Sequence, residues 1–141
     1  MAITQAMSTL FKKDVLLGDH HLDSDNIYIA LYTSSATLSA ATDGYITSNE
    51  VANGNGYTTG GNALASKAVT ENSTSGVFDA ADPEWTSATF TARGALIYKD
   101  LGSGNTASVC VLDFGSDKTY VNTFVIQFPS STYSTAILRI A

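Results

Sequence analysis

The sequence predicts an all-β protein: a jelly-roll-like β-sandwich of about eight strands with one short N-terminal helix. Three observations lead there. Thr and Ser number 18 and 16 among 141 residues, and the branched β-carbon of Thr suits pleated strands better than helices. Apolar residues follow a period of two in short segments along most of the chain. Turn-forming clusters such as AATDG, NGNG, ADP, DLGSGN, GSDK and PSS punctuate those segments roughly every ten residues, the spacing of a sandwich or jelly roll.

The helix comes first. Between Thr4 and Leu17 the apolar residues Ala6, Met7, Leu10 and Leu17 recur near helical spacing, and Gly18 stands where a helix stops. An acidic loop, DHHLDSDN at 19–26, then leads into eight expected strands: 26–33, 62–69, 75–80, 85–92, 94–99, 107–114, 123–128 and 134–140. Pro83 and Pro129 fall at strand edges, where a missing backbone donor does least harm. No repeat and no charged or Pro-rich linker divides the chain, so 1–141 reads as one domain, with 1–25 as a helix-and-loop arm and 26–141 as the sandwich.

Composition excludes several partners. The net charge is −6 and charged residues make up only 14%, well below the usual quarter. The seven cations (Lys12, Lys13, Lys67, Arg93, Lys99, Lys118, Arg139) are thinly spread, so no stripe exists to neutralise a nucleic-acid backbone. The longest apolar run, IYIALY at 27–32, is far too short to span a bilayer, and no basic stretch precedes an apolar core near the N-terminus. The expectation is a soluble protein without a secretion signal, which leaves the sequon Asn72-Ser73-Thr74 without a role. The lone Cys110, inside SVCVLDF, reads as a small buried hydrophobe and excludes a disulfide within the chain.

Four stretches invite a chemical reading, and each has a plainer one. NEVANGNGYTTGG at 49–61 carries Gly54, Gly56, Gly60 and Gly61. A phosphate cradle needs a strand feeding a helix and a closing Gly-Lys-Ser/Thr. Here NALASKAV follows, so a tight turn and a crossing point are expected instead. DHHLDSDN gathers Asp19, His20, His21, Asp23 and Asp25, but adjacent histidines do not easily share one ion and the calcium-loop pattern is missing. Gly102-Ser103-Gly104 is no strand-turn-helix elbow, and both histidines lie in the one acidic loop. Asp79 with Asp82, and Asp113 with Asp117, are pairs that 13 acidic residues supply by chance. No catalytic residue, metal or cofactor is expected.

The order of motifs carries a further signal. ALYTSSATL at 30–38, NEVANGNGYTTGG at 49–61, WTSATFTARGALIY at 85–98, VLDFGSDK at 111–118, TFVIQFP at 123–129 and a terminal ILRIA together resemble a family of small structural proteins of tailed phages, labelled head decoration (cement) or tail-fibre-like proteins. The resemblance implies a β-sandwich virion component without catalytic residues, with Tyr57, Trp85, Phe90, Tyr98, Phe114 and Phe124 as core aromatics and Arg93-Gly94 as a bend. Arg93 has the alternative of a charge-assisted contact with Asp113, Asp117 or a neighbouring subunit. The expected role is a cap on the outer surface of the capsid, with the major capsid protein as partner and a homotrimer as the assembly. The alternative is a tail-fibre or baseplate domain gripping host glycans through Trp85, Tyr28, Tyr32, Tyr45 or Tyr133.

Overall fold

The computed structural model describes residues 2–141. Its elements are β1 (Ala6–Met7), α1 (Thr9–Leu17), β2 (Ile27–Tyr32), β3 (Asn62–Ala63), β4 (Ala68–Asn72), β5 (Ser75–Asp79), β6 (Glu84–Ala88), β7 (Thr91–Gly102), β8 (Asn105–Thr119), β9 (Asn122–Val125) and β10 (Leu138–Ile140). Strands form three antiparallel sheets, ordered β1-β8-β7-β2-β3, β10-β5-β4 and β6-β9. The protein is thus all-β and sandwich-like with a single short helix, as the Thr content and period-two segments indicated.

The five-stranded sheet is buried on both faces. In β2, Ile27, Ile29 and Leu31 join the main core with Phe11, Phe78, Trp85, Ile97, Val109 and Phe124. The alternate residues Ala30 and Tyr32 join a second core with Ile3, Leu38, Leu96 and Val111. Burial on both faces explains why IYIALY is a continuous apolar run with no polar alternation. The second face is covered by Ala36, Leu38 and Tyr45, whereas Val51 and Tyr57 join the main core; the segment 33–61 that carries all five contains no strand and makes only isolated bridges, such as Ile3 with Leu38 and Tyr32 with Glu50.

Several expected boundaries move; the bend expected at Arg93-Gly94 lies inside β7, and the break between strands falls at 89–90 instead. Ala6 and Met7 are strand, paired with Val111 and Cys110, because Ser8 caps the helix: its Oγ accepts from Phe11 N at 3.3 Å. The expected apolar face is not the buried one: Leu17 is exposed, as is Leu16, and Leu10 is half-buried, while Phe11 is the one fully buried residue of α1. The single strand expected at 62–69 divides, since β3 pairs with β2 and β4 pairs with β5; Ser66, at φ 52°, lies between them.

The β7–β8 hairpin is the spine of the molecule. It turns tightly at Ser103-Gly104, between the paired residues Gly102 and Asn105. At its other end the pair Thr91 and Thr119 is followed by the pair Ala88 and Asn122, so the ribbon continues as β6–β9. That continuation carries Trp85 and Phe124 onto the core, where their rings meet edge to face with centroids 6.0 Å apart. Opposite the segment 114–117 of β8 stands one residue, Arg93, because the pairs on either side are Ala92 with Lys118 and Gly94 with Asp113. Asp113 Oδ1 accepts from both Arg93 Nε at 3.1 Å and Gly115 N at 2.9 Å. The Arg93 contact with Asp113 foreseen as an alternative is therefore present, and it spans an irregularity in which four residues stand against one.

Candidate functional site around Glu50

Glu50 is the only charged residue between Asp43 and Lys67. Sequence reasoning did not single it out, although its isolation between Tyr45 and Tyr57 was a usable signal. Its carboxylate gathers three donors: Tyr45 OH at 2.5 Å on Oε2, and Tyr57 OH at 2.6 Å and Gly60 N at 2.7 Å on Oε1. Tyr57 OH also accepts from Leu31 N of β2 at 2.9 Å, and Tyr98 OH of β7 donates to Gly60 O at 2.7 Å. Tyr98 stacks between Tyr28 and Tyr45, with centroids 5.8 and 5.0 Å away. This cluster ties the covering segment to the central sheet.

Its electrostatics suit holding rather than reacting. Burial, and then the hydrogen bond to Glu50, push the Tyr57 and Tyr45 phenols well above the ordinary range. Burial does the same to Tyr32 and Tyr98, with the Glu50 charge next in size. Phenols held so firmly in their protonated form donate steadily and do not serve as bases near neutral pH.

The glycine-rich stretch belongs to the same assembly. Gly54 and Tyr57 exchange backbone hydrogen bonds at 2.8 and 3.0 Å around Asn55-Gly56, whose φ values of 54° and 88° make a tight hairpin turn. At Gly61, φ is 80° and an added Cβ would lie 1.8 Å from Ile29 O. The loop crosses β2 there at a distance only glycine permits. The amide that a phosphate reading would aim at an anion, Gly60 N, is aimed at the chain's own Glu50.

The acidic loop separates its ligand-type side chains. Asp25 pairs with Lys99 at 2.9 Å and accepts from His21 N at 2.7 Å. His20 turns inward, its side chain only 3% exposed, with Nε2 3.9 Å from Asp14 Oδ2. Its ring lies 4.7 Å from that of Phe11, and neither ring nitrogen has a hydrogen-bond partner among the described residues. Among the described residues, no three His, Cys, Asp or Glu side chains gather as a metal site.

The remaining candidates scatter. Asp82 accepts from Phe128 N at 2.8 Å, which fixes the chain after β9. Asn72, at the tip of the β4–β5 hairpin, accepts from Tyr133 N at 2.9 Å. Cys110 is buried, and desolvation raises its thiol to about 12. Trp85 and Tyr32 are core residues, whereas Tyr133 is 58% exposed. A cleft of about 220 Å³ opens between β8 and β9, lined in part by Phe114, Lys118, Tyr120, Phe124 and Gln127. Among the described residues, no helix is long and apolar enough to cross a membrane.

Comparison of the chain with protein-family models, with curated proteins and with solved structures found no match.

Proposed function

We propose that the protein is a non-catalytic structural component of a tailed-phage virion, a decoration protein that binds the outer surface of the head shell and braces it through the major capsid protein. The observation that carries this reading is the Glu50 cluster: the most heavily hydrogen-bonded carboxylate among the described residues is occupied by three internal donors. Five of the six spaced motifs that resemble phage decoration proteins overlap strands, and the sixth, 49–61, carries Glu50, Tyr57 and Gly60 of the cluster that ties its segment to the central sheet. A surface low in charge also favours dense, repeated contacts, because a charge buried without a partner is costly. The test is co-sedimentation with purified empty heads, followed by gold labelling of intact particles in electron micrographs. Label distributed over the shell is the expected result; label confined to the tail tip, or none on particles, overturns it.

A specific observation also supports the second reading, a tail domain that grips host glycans. Tyr120 is 50% exposed and lines the β8–β9 cleft beside Lys118 and Gln127, an aromatic ring with polar neighbours of the kind that meets sugar rings. Binding of the pure protein to host cells, lost in Tyr120→Ala, is the result this reading expects.

A further inference from the structure

The exposed face of α1 is charged in a fixed order. Thr9, Lys12, Lys13, Leu16 and Leu17 are all exposed, and they occupy one continuous arc at helical spacing. Leu16 is 88% exposed and Leu17 is 66% exposed. Lys12 has no ion pair among the described residues, and Lys13, 65% exposed, meets only Asp14 of its own helix at 3.5 Å. Beyond the helix end come Asp19 and Asp23, both exposed and neither in an ion pair among the described residues. Read along the chain, these exposed residues run positive, apolar, negative.

That order opposes what a lone helix prefers. Cations belong near a helix C-terminus and anions near its N-terminus, where they oppose the macrodipole. Here no acidic residue lies in the first turn and no basic residue in the last, and a carboxylate follows the C-terminal end. A second helix laid antiparallel reverses the situation for both. Its Lys12 and Lys13 then face Asp19 and Asp23 of the first copy, its leucines meet Leu16 and Leu17, and the two dipoles oppose each other.

We infer that the α1 face is a self-complementary docking surface, and that its occupant is the same face of a second copy related by a two-fold axis. A two-fold contact places each residue against its counterpart's partner, so one patch with opposite charges at its two ends closes on itself. The three-fold arrangement expected for a cap on a shell lattice, if made by this helix with the copies parallel, sets lysine against lysine. The inference is independent of what the protein attaches to, and its test uses free protein without shells or cells.

Light scattering across a concentration series, at low and high salt, reads the mass. The expected result is a species rising towards twice 14.8 kDa with concentration and weakened by salt. Leu16→Ser with Leu17→Ser weakens association by about tenfold or more, as loss of a central apolar contact does. Two further variants make the charge order decisive: Lys12→Asp with Lys13→Asp, and Asp19→Lys with Asp23→Lys. Each alone stays monomeric, and an equimolar mixture restores the double mass. All six changes are on exposed side chains, and an unchanged circular dichroism spectrum verifies the fold. A monomer at every concentration, an assembly indifferent to the leucine changes, or a mixture that fails to associate overturns the inference.

Discussion

Two side chains hold disproportionate consequences. Replacing Glu50 by Ala leaves Tyr45 OH, Tyr57 OH and Gly60 N without the carboxylate they share, in a site that is partly buried. An unsatisfied donor costs about 1–3 kcal/mol when fully buried and less where water reaches it, so urea unfolding of Glu50→Ala is expected to show a loss of about 1–3 kcal/mol. Glu50→Gln retains one acceptor oxygen and falls in between. His20 makes a prediction about pH. Burial first and Lys99 second hold its pKa below the ordinary imidazole value, against the opposing pull of Asp14, Asp25 and Asp19. The unfolded chain therefore takes up a proton more readily than the native one, and the stability due to neutral His20 is full above the unfolded imidazole pKa. It falls as pH drops from there towards the lower native pKa, by at most ~1.4 kcal/mol per pH unit. Melting temperatures of the wild type are expected to decline between neutral and mildly acid pH, and His20→Phe to flatten that decline. An equal slope in both proteins places the effect elsewhere.

Among the elements, the covering segment 33–61 is the one whose geometry tolerates least. Its crossing at Gly61 leaves 1.8 Å between a hypothetical Cβ and Ile29 O, at a φ of 80°, so Gly61→Ala must move backbone rather than side chains. The loop then loses its seat, and with it Gly60 N on Glu50 and Gly60 O under Tyr98. Gly61→Ala is expected to lower the melting temperature by more than Glu50→Ala does, or to abolish soluble folding. Gly18→Ala, with φ 78° but open space around it, is the control. It carries only the left-handed backbone penalty, about 1–2 kcal/mol. If the two glycine variants melt alike, close approach at Gly61 is not what the loop depends on.

At the scale of the molecule, two cores share the central sheet, and the thiol of Cys110 reports on the integrity of the main one. The side chain is buried in β8, and desolvation holds the thiol near 12, while the thiolate is the reactive species. At mildly alkaline pH, native protein is expected to resist a thiol reagent and to label at the rate of global unfolding, with the two rates converging in denaturant. Labelling much faster than unfolding would mean that β8 is reached by local opening at its short partner β1.

The residues alone determined the class of fold, because period-two burial and turn chemistry are local signals. β2, β5, the core of β7 and β8, and the glycine turns at 54–57 and 102–105 were legible for that reason. The tertiary structure decided what depends on residues far apart in sequence. Ala6 and Met7 join a strand rather than the helix because Val111 and Cys110 offer a ladder and Ser8, whose Oγ lies 2.7 Å from Ser108 Oγ, starts the helix one residue later. The 62–69 segment divides because its two ends reach different sheets. Most of all, a covering segment without strands has no period to detect: Glu50, Tyr57 and Gly60 acquire their meaning only when β2 and β7 lie beneath them, since hydrogen bonds between distant residues leave no trace in local pattern.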